Sequence, residues 1–192
     1  MAKEILRKFK EDNLSSRAKR QDKEAFVALY NRYVDDIFRF VYFKTGHREE
    51  AQDLTSAVFL KAWDYISKNS LDKEKSLKAL FYKIARNSVA DYYRGSKNRN
   101  GDFSLEYNSF DTRVASNMDV SSEVEAKLEL ERIMKLLDNL KDEYKDIIIL
   151  RHINELSWEE ISLTTGKKKS NLRVLLHRAL KSLEDEDEKS KK

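Results

Sequence analysis

The 192-residue sequence contains no cysteine, no proline and only four glycines. Without cysteine, the chain cannot form a disulfide bond, use a thiolate nucleophile or hold a Cys-ligated zinc or iron–sulfur site. Sheet proteins need turn residues such as glycine and proline every ~8–12 residues, and this chain has too few of them. The composition therefore predicts an all-α protein.

Long apolar stretches are also missing. No run approaches the ~20 residues of a membrane-spanning helix. The N-terminal segment MAKEILRKFKED lacks the apolar stretch of a signal peptide. Together with the absence of cysteine, this predicts a cytoplasmic location without membrane insertion.

The sequence has few of the residue patterns that support catalysis. The three histidines, His47, His152 and His177, are not spaced to share one helix face, which argues against a His-based metal site. Glycine-rich phosphate loops and the G-x-S-x-G nucleophile motif do not occur. We therefore expect no metal, no cofactor and no enzymatic activity.

Charge is arranged in blocks, although the formal net charge is only +4. Residues 68–99 carry nine basic and three acidic side chains, residues 102–129 carry seven acidic and two basic ones, and residues 167–181 are basic without any acid. The tail EDEDE at 184–188 reverses the sign again. Solvated helix faces explain most charge runs, but basic helices separated by an acidic segment are also typical of nucleic-acid binding.

Hydrophobic periodicity predicts helices at about 23–44, 49–66 and 75–94, with Gly46 as the C-cap of the first. Three such helices can form one small bundle. From 99 to 122 the period disappears in a segment rich in Asn, Asp and Ser, which predicts a flexible linker. Periodicity resumes at 123–183 as a second helical bundle, between a basic N-terminal extension (1–22) and a charged tail (184–192).

The segment LSWEEISLTTGKKKSNLRVLLHRALKSL predicts a helix-turn-helix. Ser157 and Glu160 have the spacing of a capping box, and Gly166 lies where the first helix must turn. The second helix begins near Lys169, with Leu172, Leu175, Leu176 and Ala179 facing inward and polar residues facing outward. A recognition helix has this plan, and so does any basic helical hairpin.

Three stretches in the first half and one in the second resemble bacterial sigma factors of the extracytoplasmic-function (ECF) group of the sigma-70 family. The first-half stretches are FVALYNRYVDDIFRFVYFKTG, EEAQDLTSAVFLKAW and LKALFYKIARNSVADYYR, and the second-half stretch is EYKDIIILRHINELSWEEIS followed by G and LHRALKSL. Their order and spacing are those of the family. The resemblance implies a region-2-like domain at 23–98, a region-4-like domain at 123–183 and a role in transcription initiation.

The resemblance also implies partners and site residues. The implied partners are the β and β′ subunits of core RNA polymerase, and DLTSAVFLKAW would dock on the coiled-coil clamp of β′ through Asp53, Leu54, Ser56, Phe59 and Trp63. The third helix would melt and hold the minus-ten promoter element, since aromatic rings stack on unpaired bases and cations follow the backbone. The residues involved would be Lys78, Lys83, Arg86, Asn87, Tyr92, Tyr93 and Arg94.

In the hairpin, a set of mostly polar residues would bind the minus-thirty-five element. They are Lys168, Lys169, Ser170, Asn171, Arg173, Val174, His177, Arg178 and Lys181. An anti-sigma factor would be a further partner.

Some residues depart from the family pattern. Leu80 stands where the family usually has Trp, and Thr164, Thr165 and Lys167 replace apolar residues around Gly166, which predicts weaker anchoring of the first hairpin helix. Phe59 and Trp63 are equally explained as core residues, and Asp91 is expected to pair with Arg94 rather than DNA. Two alternatives stay open: a helix-turn-helix regulator that does not engage polymerase, and a helical scaffold or anti-sigma-type protein.

Overall fold

The structure is a computed structural model that describes residues 13–14, 16–18, 20–68, 76–97 and 120–191. These residues form helices joined by short turns, and no strand occurs among them, so the all-α prediction is confirmed. No helix in the described ranges combines the length and the apolar character needed to cross a bilayer. The helices are α1 (Lys23–Thr45), α2 (Arg48–Lys68), α3 (Leu77–Lys97), α4 (Val120–Asp138), α5 (Asp142–Ile148) with a π-helical continuation (Ile149–Ile153), α6 (Trp158–Thr165) and α7 (Lys169–Ser190).

Local capping chemistry determines where α1 begins and ends. The Asp22 carboxylate accepts hydrogen bonds from the backbone N–H groups of Glu24 (3.0 Å) and Ala25 (3.1 Å). At the other end, Gly46 has a left-handed backbone (φ 78°), and its N–H donates to the carbonyl of Tyr42 at 2.8 Å. A glycine tolerates this conformation without steric cost, so the predicted C-cap is confirmed.

Aromatic rings form the centre of the N-terminal bundle, where α1, α2 and α3 meet. The ring centroid of Phe81 lies 5.2 Å from that of Tyr33 and 5.1 Å from that of Phe59. Leu80, at the position where the family usually has Trp, is buried in this core as well. Leu80 is therefore a core residue of the bundle.

The C-terminal half contains the predicted helix-turn-helix. Ser157 accepts a hydrogen bond from the backbone N–H of Glu160 (3.2 Å), and the Glu160 carboxylate accepts one from the backbone N–H of Ser157 (2.7 Å), so the capping box is confirmed. Gly166 ends α6 with φ 72°. Leu172 and Ala179 of α7 are fully buried.

The two helical halves pack against each other, which the sequence does not reveal. Their buried residues form one continuous hydrophobic cluster. Across the contact, the Asn154 side-chain amide donates to the carbonyl of Asp36 at 2.8 Å, and the Thr164 hydroxyl donates to the carbonyl of Ala79 at 3.4 Å. Periodicity shows that a helix has an apolar face, but it does not show which element covers that face.

Two predicted boundaries differ from the observed helices. Helix α4 begins at Val120, within the segment 99–122 expected to be a linker, and residues 99–119 lie outside the described part of the chain. Helix α7 continues to Ser190, so most of the charged tail is helical. Most of the N-terminal extension, 1–22, also lies outside the described residues.

Candidate nucleic-acid and partner interfaces

Helices α6 and α7 form the hairpin, with the turn at 166–168 between them. Leu172 and Ala179 attach α7 to the rest of the protein, while Leu175 and Leu176 are half-buried. The opposite face of α7 is open to solvent. All nine residues expected to contact DNA are exposed there: Lys168, Lys169, Ser170, Asn171, Arg173, Val174, His177, Arg178 and Lys181.

Trp158 of α6 contacts two arginine side chains near the start of this surface. The guanidinium carbon of Arg173 lies 5.5 Å from the Trp158 ring centroid, and that of Arg151 lies 5.1 Å from it. Such cation–π contacts restrict the arginine side chain. Nearby, Lys169 forms an ion pair with Glu159. Sequence reasoning missed Trp158, although an indole directly after the cap residue of a DNA-binding hairpin was an available signal.

Each of the polar residues around the turn has a hydrogen-bond or ion-pair partner, and the expectation of weaker anchoring stays a prediction. Thr164 is buried and donates to the carbonyl of Ala79 on α3. The Thr165 hydroxyl donates to a carbonyl of the preceding helical turn at 2.7 Å, and the Lys167 ammonium pairs with Glu143 at 2.9 Å. Each side chain therefore has a polar partner, and for Thr164 that partner lies on α3.

Part of the expected minus-ten surface lies along the exposed side of α3. Lys83, Asn87 and Arg94 are exposed on that helix. Arg94 pairs with Asp91 at 2.7 Å, as expected from their spacing. This side of α3 offers cations and an amide at successive helical turns.

The other expected minus-ten residues are engaged within the protein. Lys78 lies 3.6 Å from the Glu160 carboxylate, and Arg86 forms an ion pair with Asp146. Both acidic residues belong to the C-terminal half. Packing of the two halves therefore covers part of α3, and the minus-ten contacts expected of Lys78 and Arg86 stay a prediction.

Two tyrosines near the end of α3 are placed together. The ring centroids of Tyr92 and Tyr93 are 5.4 Å apart at an interplanar angle of 70°. The Tyr93 hydroxyl donates to the carbonyl of Lys44 at 2.8 Å, and burial raises the pKa of this phenol far above its ordinary value. Tyr93 is therefore a protonated donor bound to α1, with part of its ring still exposed.

An apolar groove of about 490 Å³ lies between α1 and α2. Ser56, Phe59 and Trp63, three of the five residues expected at the polymerase interface, line it. Asp53 is exposed and Leu54 is half-buried, and neither lines the groove. Phe59 is almost completely buried, so it acts mainly as a core residue.

Sequence reasoning missed the most accessible apolar residues of this groove. Leu60, Val27 and Tyr30 are 71%, 55% and 39% exposed, and all three line it. Trp63 packs edge-on against Phe26 with centroids 4.8 Å apart, which shapes the groove wall. The available signal was an apolar stripe on α1 and α2 wider than one core-facing side requires.

In the described part of the chain, no group of three or more His, Asp or Glu side chains is placed to hold a metal ion.

Two models of one protein family match this chain. The model described as Sigma-70 region 2 matches residues 29–99, which include α2, α3 and all of α1 except its first six residues. The model described as Sigma-70, region 4 matches residues 130–183, which include the helix-turn-helix. Together they match more than half of the chain. The candidate DNA surfaces on α3 and α7 lie within the matched segments, whereas the groove between α1 and α2 also includes Phe26 and Val27, which precede the match.

Curated relatives agree with this assignment. The ECF RNA polymerase sigma factor BldN of Streptomyces coelicolor is 31% identical over 173 residues, which are 88% of this chain and 63% of the relative. The RNA polymerase sigma factor YlaC of Bacillus subtilis is 27% identical over 173 residues, which are 88% of this chain and 95% of the relative. This chain thus spans less than two thirds of BldN but nearly all of YlaC.

A solved structure has the same fold. The sigma factor RpoE of Bartonella quintana, determined in complex with the anti-sigma factor NepR, superposes with a TM-score of 0.66 at 18% identity. The match covers 85% of this chain and 96% of that one. On the two family models and these relatives, the chain belongs to the sigma-70 family, within its ECF group, and is a sigma factor that directs transcription initiation at promoters.

Proposed function

We propose that this sigma factor binds core RNA polymerase through the groove between α1 and α2, and contacts promoter DNA through α3 and α7. The observation that carries the proposal is that every residue of the expected DNA-contacting set, on α7 and directly before it, is exposed, whereas Leu172 and Ala179 on the other face of α7 are buried. A helix of this kind fits the major groove without rearranging the core. The protein would act in the cytoplasm, where polymerase and promoters are found.

The polymerase interface has an apolar part and a polar part. Leu60, Val27 and Trp63 supply apolar surface that the free protein leaves accessible, a feature that marks protein–protein interfaces. Asp53 and Ser56, both exposed on α2, add polar contacts at the rim of the interface. The β and β′ subunits of core polymerase are the partners proposed for this surface.

The proposed promoter contacts of α3 and α7 involve different parts of the DNA. On α3, the exposed cations Lys83 and Arg94 would follow the backbone of the minus-ten strand, and the tyrosine rings would stack on unpaired bases. On α7, Lys169 and Arg173 lie at the start of the helix, where side chains reach base edges, whereas Lys181 lies later and would meet phosphate.

The alternative of a helix-turn-helix regulator that does not engage polymerase is not favoured. Such a regulator needs no region-2 segment, whereas a region-2 model matches residues 29–99 of this chain. Sigma factors are generally not enzymes, which agrees with the expectation for this protein. An anti-sigma factor is a further proposed partner, because the solved relative RpoE was determined with one.

Transcription from a promoter library tests the proposal. The protein is combined with core polymerase, and run-off transcripts are measured on templates that vary in the upstream element. Arg173→Ala should cost about 1–3 kcal/mol and relax the preference at one position. Lys181→Ala serves as the matched control, because it should weaken all templates alike and reduce the salt slope by about one.

The order of transcript yields across the promoter library shows whether Arg173 reads bases. If Arg173→Ala leaves the ranking intact, Arg173 does not read bases. If the wild-type protein does not associate with core polymerase, the proposed polymerase interface is wrong.

A further inference from the structure

We propose that Trp158 is a positioning residue for promoter reading: its indole holds the guanidinium of Arg173 at the start of α7, and this contact increases the discrimination among upstream elements. The inference rests on the proposed reading role of Arg173. It assigns a role in specificity to a residue of α6 that lies outside the expected DNA-contacting set.

Contacts at the start of α6 hold Trp158 in place. The residue directly follows Ser157, whose capping box with Glu160 closes the first turn of the helix. The indole is half-buried and packs against the hydrophobic core. The guanidinium carbon of Arg151 lies 5.1 Å from the ring centroid, and the Nη1 of Arg151 donates to the carbonyl of Leu156 at 2.7 Å. The ring therefore has a defined position in the free protein.

Two side chains of α7 contact neighbouring residues of α6. The guanidinium carbon of Arg173 lies 5.5 Å from the centroid of the Trp158 ring. Lys169 forms an ion pair with Glu159, the next residue along α6. Because Lys169 and Arg173 are four positions apart, they lie one above the other on the same face of α7. The first turn of α6 therefore restrains both side chains on the face that would meet base edges.

The two contacts differ in what they leave available for DNA. The ion pair occupies the ammonium of Lys169 with a carboxylate that a DNA acceptor must displace. A cation–π contact forms no hydrogen bond, so it leaves free the guanidinium N–H groups that make the bidentate contact with guanine. In the described part of the chain, Arg173 takes part in no ion pair. Arg173 is therefore both oriented and available as a donor.

Orienting Arg173 in advance affects matched and mismatched promoters differently. A bidentate contact with a base selects one of the many rotamers of an arginine, at an entropic cost. A ring that already restricts Arg173 lowers this cost on a promoter whose base pair Arg173 reads. On a promoter with another base pair at that position, the bidentate contact does not form and the restriction gives no advantage. The contact with Trp158 therefore increases discrimination rather than general affinity.

A double-mutant cycle tests the inference in the full chain with core polymerase. Discrimination is the ratio of run-off transcript yields, at limiting protein, on two templates that differ only at the base pair whose preference Arg173→Ala relaxes. Trp158→Leu removes the aromatic ring but keeps an apolar side chain, and it should lower this ratio about two- to fivefold, the range of an exposed cation–π contact. Trp158→Phe keeps a ring and should restore most of the ratio. In the Arg173→Ala background, Trp158→Leu should not change the ratio further.

Arg178 provides the matched control for the cycle. It is exposed on α7 like Arg173, and no cation–π contact within the described residues joins it to Trp158. The effects of Arg178→Ala and Trp158→Leu on transcript yield should therefore be additive.

Acrylamide quenching measures the ring contact in the free protein. The chain has two tryptophans, so Trp63→Phe leaves Trp158 as the single indole emitter. In this background, Arg173→Ala should increase the quenching of Trp158, because the guanidinium no longer shields the ring. Arg178→Ala should leave the quenching unchanged. This measurement needs no substitution of Trp158, so it stays decisive if Trp158→Leu fails to fold.

Three results would overturn the inference while leaving the reading role of Arg173 in place. An equal fall in yield on both templates would show that Trp158 supports the hairpin or contacts DNA without selecting bases. A higher ratio for Trp158→Leu would show that the ring holds Arg173 away from DNA. Unchanged quenching in Arg173→Ala would show that the ring contact does not form in solution.

The single variant Arg173→Ala separates these results from a failure of the proposed function. If it relaxes the preference at no position of the upstream element, the proposed reading role of Arg173 is wrong and the inference is overturned with it.

Discussion

Leu60 offers a sharp test of the proposed polymerase groove. Its side chain is 71% exposed on α2 and lines the groove between α1 and α2. Because it contributes little to the core of the free protein, Leu60→Glu should leave the fold and its thermal midpoint almost unchanged. Any loss of polymerase binding then reports on the groove rather than on stability.

The expected magnitude follows from the exposed fraction. Complete burial of a leucine side chain contributes about 1.5–3 kcal/mol. Since about 70% of the Leu60 surface remains for a partner to cover, the part gained on binding is about 1–2 kcal/mol. This corresponds to roughly a 5–30-fold weaker Kd, and desolvation of the introduced carboxylate adds to the loss.

Competition for fluorescently labelled core polymerase measures this Kd. Leu128→Glu is the matched control, because Leu128 is 61% exposed on α4 and does not line the groove. It should bind like the wild type. If the folded Leu60→Glu variant binds within twofold of the wild type, the groove is not the polymerase interface.

Three further predictions concern local structure. Ser157→Ala removes one half of the capping box and should lower the free energy of unfolding by about 1 kcal/mol in chemical denaturation, with Ser157→Asn restoring most of it. Gly166→Ala meets no neighbouring atom within 4 Å, so its cost should come from the left-handed backbone alone, about 1–2 kcal/mol by the same measurement. Backbone hydrogen bonding from Ala25, followed by the Arg17 side chain, lowers the pKa of Asp22 below 3.8. The charged Asp22 stabilises the folded protein at pH values above the unfolded-state pKa, and this stabilisation is lost as the pH falls through the lower folded-state pKa. The free energy of unfolding should therefore decrease less steeply with falling pH in Asp22→Asn than in the wild type.

The packing of the two halves affects which residues of α3 are suitable for testing the minus-ten contact. Arg86 and Lys78 take part in contacts between the halves as well as in the proposed DNA surface. Substituting either one would remove a contact between the halves together with a proposed DNA contact, so the two effects could not be separated. Lys83 and Asn87, exposed on the same helix, are cleaner probes of promoter contact.

Local chemistry in the sequence was sufficient to predict most of the helices and the caps at Gly46, Ser157 and Gly166. The absence of proline and the shortage of glycine predicted an all-α chain, and two of the four glycines, Gly46 and Gly166, mark helix ends. The Ser157 capping box was readable because its two residues are three positions apart. These features depend on neighbours within one or two turns, so the sequence alone determines them. The exposed face of α7 was predictable for the same reason, since helical periodicity separates Leu172 and Ala179 from the polar positions.

Only the tertiary structure decided which of these residues act together. Asp146 lies 102 residues from Lys44 and 60 from Arg86, and nothing in the local pattern links the three. Charged side chains are usually solvated, so their pairing in the interior depends on how the helix bundles pack. The groove on α2 was decided in the same way: Phe59 and Leu60 are adjacent apolar residues, but packing buries one and leaves the other exposed. Periodicity identifies apolar and charged faces, whereas three-dimensional packing selects the partner of each face.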